Sequence, residues 1–169
     1  MGSIWGFHGD GDDVLVRAMQ RPMGPRAEVA DSTVRAGSWG LATGCTRANG
    51  RVRPPAVVES TGGEIHCVFD GYLVNRDEVD ELLAGFGAPR RPRNDTDRVV
   101  ALYAELGTDC FEALDGAYAI ALNQGDTLVL ARDSLGEKPL YYTDAIPGTL
   151  LFGSEVKSFL GHPEFDASP

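Results

Sequence analysis

Apolar positions along the chain switch between two periods, strand-like and helix-like, and the switches come in a definite order. Residues 4–8 are a short apolar run of strand type, closed by the turn cluster Gly9-Asp10-Gly11-Asp12. Asp12 or Asp13 then predicts an N-cap for a helix over 14–20, with Val14, Leu15, Ala18 and Met19 as its apolar stripe. Arg21-Pro22-Met23-Gly24-Pro25 stops it. Loose alternation over 33–46, with Gly37 and Gly40 inside, predicts a hairpin. A loop containing Arg and Pro at 49–55 leads to strands at 56–60 and 64–69 around Gly62-Gly63.

Asp70-Gly71 follows the second of these strands. Asn75 is the expected N-cap of a helix over 76–84 that turns Val79, Leu82 and Leu83 inward. A basic, Pro-rich connector at 86–93 precedes the capping cluster Asn94-Asp95-Thr96-Asp97. The helix behind it buries Val99, Val100, Leu102, Tyr103 and Leu106, and a short helix at 110–114 follows. A hairpin joins 118–122 to 127–131, strands follow at 140–143 and 150–152, and a short helix is expected at 155–160. Strands in runs, with helices in pairs, do not make regular βαβ units. Two stacked sheets with helices outside are expected rather than a doubly wound parallel sheet.

Composition narrows the function classes. With 169 residues, 43% hydrophobic and 24% charged, the chain has the makeup of one globular domain with a real core. A net charge of −10 argues against nucleic acid and anionic membranes as partners. No apolar run reaches bilayer-spanning length and the N-terminus lacks a signal-peptide layout, so a cytoplasmic location is expected. Cys45, Cys67 and Cys110 lack metal-type spacing, and an odd count argues against a disulfide framework. Cys67 and Cys110 read as buried thiols acting as small hydrophobes. His8, His66 and His162 are equally scattered, so neither metal nor cofactor is expected.

The most informative stretch is 128–142, LVLARDSLGEKPLYY. By its pattern it is a hairpin-like connection with a charged elbow at Arg132-Asp133 and a tight turn at Gly136. Arg132 and Asp133 are expected to form a buried or half-buried ion pair that braces the elbow. The full string R-D-x-L-G-x-K-P-L-Y-Y, with Lys138 and Pro139, is followed by Phe152-Gly153-Ser154-Glu155-Val156-Lys157. Together they resemble the end of the class II glutamine amidotransferase domain of asparagine-synthetase-like enzymes. The resemblance runs from Ile4 to about Pro163. It implies the α+β fold of the N-terminal-nucleophile hydrolases, a four-layer α-β-β-α sandwich, over residues 1–163, with 164–169 as a tail or truncated linker.

Family chemistry is then expected residue by residue. Active members begin with a cysteine that is nucleophile and, through its own α-amine, general base. Aligned on the Ile-x-Gly-Phe strand, this chain has Gly2 there, which has no side chain to attack with. The family's Asn-Gly-Glu loop, whose asparagine side chain and glycine amide make an oxyanion hole, reads Asp70-Gly71-Tyr72. A carboxylate there opposes a developing negative charge. The arginine that grips the substrate carboxylate should fall near Cys45, with Arg47 two residues away. Asp97 stands where the resemblance puts the receiver of the substrate α-amine, and helix capping explains it equally well.

Such losses are similar to those in the N-terminal domains of β-lactam synthetase and carbapenam synthetase. They also resemble lasso peptide macrolactam cyclases, whose F-D-G-x-L-x-N-R-D-E string matches Phe69 to Glu78. The expected role is a catalytically degenerate domain, structural or interaction partner of an asparagine-synthetase-like, ATP-dependent amide synthetase or cyclase. The chain stops about where the linker to a synthetase domain would begin, and it has no Ser-Gly-Gly-x-Asp/Glu-Ser motif. Phe159, Leu160 and Phe165 are the expected docking patch, with homo-oligomer formation through the same patch as the rival. Two other readings stay open: an amidohydrolase using Ser3 after removal of Met1 and Gly2, and a binding protein for a small ligand.

Overall fold

The computed structural model describes the chain except for Met1, Gly37, residues 47–54 and 88–91, Ala167 and Pro169. The fold is α+β. Its strands make two antiparallel sheets, and the chain divides into two compact units, Met1–Pro55 with Pro139–Pro169, and Ala56–Lys138.

The first unit holds a five-stranded sheet in the order β2-β3-β1-β9-β8. Its strands are β1 (Gly2–Gly9), β2 (Val29–Ala36), β3 (Trp39–Cys45), β8 (Tyr141–Ile146) and β9 (Thr149–Gly153). The N-terminal strand β1 is central, paired with β3 from Gly2↔Cys45 to His8↔Trp39 and with β9 from Trp5↔Gly153 to Gly9↔Thr149. Helix α1 (Asp13–Gln20) is capped by Asp12, whose carboxylate accepts from Leu15 N at 2.9 Å. Asp12→Ala is therefore expected to destabilise by about 1 kcal/mol, read as a lower urea midpoint at unchanged slope.

The buried stripe of α1 is Leu15, Val16 and Met19, while Val14 is 70% exposed. The expected stripe was turned by one position, because Val16 packs inward beside Phe7 and its carbonyl accepts from Trp5 Nε1 at 2.8 Å. After α1 the chain continues as a 3-10 segment, Arg21–Ala27, broken at Gly24 by its positive φ of 56°.

The second unit holds a four-stranded sheet in the order β4-β5-β6-β7. Its strands are β4 (Ala56–Ser60), β5 (Gly63–Leu73), β6 (Gly116–Gln124) and β7 (Thr127–Arg132). Helices α2 (Arg76–Gly85) and α3 (Asp95–Leu106) contribute Val79, Leu83, Val99, Val100 and Leu102 to a core shared with Ile65, Cys67, Phe69, Ile120 and Leu122. Leu82, expected inward, is partly exposed instead.

Three expectations on local structure need correction. Asp70 and Gly71 do not follow β5 but lie inside it, opposite Ala119 and Tyr118. Stretch 128–142 is not a hairpin: β7 belongs to the four-stranded sheet and β8 to the five-stranded one. The short helices expected at 110–114 and 155–160 are 3-10 segments, Gly107–Ala113 and Val156–Gly161. Runs this short cannot establish a stable α-helical ladder, and 3-10 turns are the usual substitute.

Candidate functional site

In the first unit the site begins at the start of β1. Gly2, expected from the resemblance at the nucleophile position, is held in the sheet opposite Cys45. Ser3 is fully buried, and its hydroxyl donates to the carbonyls of Arg26 at 3.1 Å and Gly44 at 3.5 Å. Ser154, just past β9, brackets the same strand. Its Oγ accepts from Ile4 N at 2.9 Å and its N donates to Ile4 O at 2.8 Å. Glu155 takes two cations, Arg26 at 3.2 Å and Lys157 at 2.7 Å. The Phe-Gly-Ser-Glu-Val-Lys string thus fixes the entry of β1 by hydrogen bonds and ion pairs.

In the second unit the elbow after β7 is built on Asp133. Its buried carboxylate accepts from the N–H groups of Glu137 at 2.8 Å, Lys138 at 3.0 Å and Tyr118 at 3.2 Å. Gly136, at φ 68°, lets the chain turn back far enough for those groups to converge. Burial pushes the Asp133 carboxyl up, but the hydrogen bonds from Lys138, Glu137, Tyr118 and Gly136 outweigh it and hold the group below its ordinary value. Arg132 is exposed, and no ion pair joins it to Asp133 among the described residues. The expected Arg132–Asp133 brace is therefore replaced by backbone N–H groups, which stabilise a buried anion without a second buried charge. Pro139, half-buried, leads the chain out of the elbow toward β8.

The elbow also aims a side chain that entered the sequence analysis only as part of the R-D-x-L-G-x-K-P-L-Y-Y string. Lys138 Nζ meets both carboxylate oxygens of Asp70, at 3.2 and 3.1 Å. Asp70 is 7% exposed and the Lys138 side chain 19%, so this is a largely dehydrated pair. Local pattern could not show it, because the partners are 68 residues apart. Beside it, Gly71 has φ 140°, and a Cβ there would run into the Ala117 carbonyl oxygen, so the strand requires glycine at this point. An oxyanion site needs donors turned toward developing negative charge. At Asp70 the side chain offers only acceptors, and both are already engaged by Lys138.

Asp97 lies on the first turn of α3. Asn94, not Asp97, caps that helix, accepting from Asp97 N at 2.9 Å. The Asp97 carboxylate reaches back to Arg93, accepting from its N at 3.0 Å and its Nε at 3.2 Å. Asp97 and Arg93 also line a groove of about 710 Å³ floored by Ala56, Val58, Leu83 and Val100. Arg47 lies outside the described residues, so its expected role gains no geometry.

A second acidic centre escaped the sequence reading because Asp95 looked like one more capping residue. It is buried and accepts from Arg76 Nε at 2.7 Å, Arg76 Nη2 at 2.9 Å and Leu73 N at 3.3 Å. Arg98 lies 3.5 Å from it and makes a two-pronged pair with Asp80 at 2.8 Å. This network ties α2, α3 and the end of β5 together. The usable signal was that each of two successive amphipathic helices carries one arginine, Arg76 and Arg98, among several acidic residues.

The three cysteines are free and buried. Burial pushes the Cys110 thiol up to about 12 and raises Cys67 further, so neither is a thiolate at neutral pH. Among the described residues no group of three or more His, Cys, Asp and Glu is disposed to hold a metal ion. No helix of the described residues is long and apolar enough to cross a membrane. Of the expected docking patch only Leu160 is exposed, at 53%. Phe159 is in the core of its unit, and Phe165 packs edge-on against it at 5.6 Å between ring centres.

A family model described as a glutamine amidotransferase domain matches residues 25–169. The chain is 32% identical over 117 residues to asparagine synthetase [glutamine-hydrolyzing] 3 of Bacillus subtilis strain 168, covering 68% of this chain and 19% of that protein. It is 32% identical over 102 residues to carboxyethyl-arginine beta-lactam-synthase of Streptomyces clavuligerus, covering 60% of this chain and 19% of that protein. The match thus spans about a fifth of the length of these relatives. Among solved structures, glutamine phosphoribosylpyrophosphate amidotransferase from B. subtilis matches with TM-score 0.68 at 18% identity, over 93% of this chain and 42% of that one. That likeness shows the fold, which is of the N-terminal-nucleophile amidotransferase kind.

Proposed function

The chain belongs to the glutamine amidotransferase domain family, of asparagine synthetase type, and from that premise we propose that it is a degenerate member which does not hydrolyse glutamine. It serves as the structural or interaction half of an ATP-dependent amide-forming synthetase, in natural-product or peptide macrolactam biosynthesis. The observation that carries this reading is the Asp70–Lys138 pair. A carboxylate with a captive ammonium occupies the strand position where the family displays an oxyanion-stabilising amide. Gly2 supports the reading, since it has no nucleophilic atom. Synthetases that close an amide with an amine already on their substrate need no ammonia, so such losses leave their chemistry intact.

In the uncleaved chain the Ser3 hydroxyl is buried and donates to a main-chain carbonyl, so the alternative that uses it as nucleophile requires prior removal of Met1 and Gly2. The groove beside Asp97 favours a second reading, the binding of a small ligand, since about 710 Å³ falls within the range of small-molecule pockets. The test of the main reading is ammonia release. Purified chain incubated with glutamine is expected to match a heat-denatured control, and Gly2→Cys is expected to stay at that level because Asp70 remains. Turnover above the control by the unaltered chain would overturn the proposal. A thermal shift with free amino acids, lost in Asp97→Ala, would favour the ligand-binding reading instead.

A further inference from the structure

The groove beside Asp97 has a wall that a sheet face alone would not give it. Every residue of 56–61 lines it, along the whole of β4 and into the turn that follows. Side chains alternate between the two faces of a strand, so a cleft over one face meets every second residue. A cleft that meets all of them lies against the strand's open edge. Among the described residues β4 is the edge strand of its sheet and pairs only with β5. Register then tells which main-chain groups that edge presents. The two-residue turn Thr61-Gly62 makes Ser60 and Gly63 the closing pair, and hydrogen-bonded pairs recur at every second residue from there. Val58 and Ala56 therefore bond toward β5, while Val57 and Glu59 turn their N–H and C=O groups outward. Every lining residue belongs to the second unit.

Helix α3 supplies the other wall as a single stripe. Asp97, Val100, Ala101, Ala104 and Glu105 have the spacing of neighbours on one helix face. The middle of the stripe is apolar and packs on the core of the unit, and a carboxylate stands at each end. Arg93 engages Asp97, whereas Glu105 is exposed and in no ion pair among the described residues. Eight residues of helix rise about 12 Å, a length that about four residues of strand cover. We infer that the groove docks an extended peptide of alternating basic and apolar side chains, added to β4 as a further strand. Its main chain pairs with Val57 and Glu59. Its central apolar residue lies on Ala101 and Ala104, and basic residues two positions to either side meet Asp97 and Glu105. Charge selects this occupant. A second copy of the chain would bring the same carboxylates, on a body of net charge −10, and an acidic peptide meets the same repulsion. A small ligand would fill the apolar middle but leave the strand edge unpaired.

The probe is a capped peptide, Ser-Lys-Thr-Val-Thr-Lys-Ser, titrated into the isotope-labelled full chain and followed by NMR and hydrogen exchange. Saturable binding is expected, with the Val57 and Glu59 amides gaining protection from exchange. Glu105→Lys, a change at an exposed position, is expected to weaken binding about tenfold. Of two peptides methylated at alternate main-chain nitrogens, one is expected to lose binding and the other to keep it, since only every second N–H faces β4. If the Glu105 variant does not fold, the peptide series on the unaltered chain still decides. Equal binding of a peptide with Glu in place of both Lys, or of both methylated peptides, overturns the inference. So does full competition by butylamine, which would mark a small-ligand pocket, and so does the absence of saturable binding. A chain that is dimeric without peptide, with Val57 and Glu59 already protected, overturns it as well.

Discussion

Asp133→Ala is expected to lower stability by about 3–4 kcal/mol, among the largest effects of any single substitution outside the apolar core. The carboxylate it removes gathers three main-chain N–H groups, from Tyr118, Glu137 and Lys138. The Tyr118 donor is in a buried bond and has no water to turn to. Leaving a buried donor unmade costs about 1–3 kcal/mol, and the two part-buried donors add smaller amounts. The elbow would also loosen its hold on the Lys138 backbone, and with it the aim of the Lys138 ammonium. Urea melts of both proteins give the difference directly.

The pH dependence of that difference is a sharper test. Because the Asp133 carboxyl is held below its ordinary value in the fold, the unfolded chain takes up its proton first as pH falls. The stability it contributes is complete above the ordinary carboxyl value of about 4 and disappears as pH drops through the lower folded value. The gap between the unaltered chain and Asp133→Asn should therefore be constant from neutral pH to about 5 and narrow below about 4. A gap that widens on acidification would mean that Asp133 is not the acceptor of these bonds.

What the sequence made legible were features with a local cause. Period-2 runs, the Asp12 cap and the Asn94 cluster placed most elements, because caps and alternation act within a few residues. The elbow at Gly136 was visible for the same reason. Its consequence was not, since nothing local distinguishes two runs that pair with each other from two that join different sheets. Leu128–Ala131 and Tyr141–Tyr142 look alike whether or not they are neighbours. Charge partners failed similarly. Arg132 is next to Asp133 in sequence, yet the N–H groups gathered by the turn are what meets the carboxylate. Lys138 meets a residue 68 positions away. At Phe159 and Phe165 proximity to the chain end suggested exposure, whereas each supplies the other with apolar contact.

Lys138→Met is expected to cost about 3–5 kcal/mol, because it leaves the Asp70 carboxylate buried without its cation. The reverse change should be milder. In Asp70→Asn the ammonium loses its partner, but the Lys138 side chain keeps 19% exposure and a flexible stem with which to reach water. That variant is expected to lose about 1 kcal/mol. Asp70→Asn with Lys138→Met removes both charges at once, and should lie closer to the unaltered chain than Lys138→Met alone. The four proteins form a cycle whose coupling energy should reach about 2 kcal/mol, well outside the additive range for independent sites. Denaturant midpoints at low and high salt complete the measurement, since a dehydrated pair is screened little and its coupling should survive added salt. Additive losses would show an exposed and weakly interacting pair, and Asp70 would then be open to solvent and ligand. A large, salt-resistant coupling, in contrast, would mean that any anion approaching this strand must compete with Asp70 for the Lys138 ammonium. Asp70 would oppose that approach by charge, which fits the proposal that this segment stabilises no oxyanion.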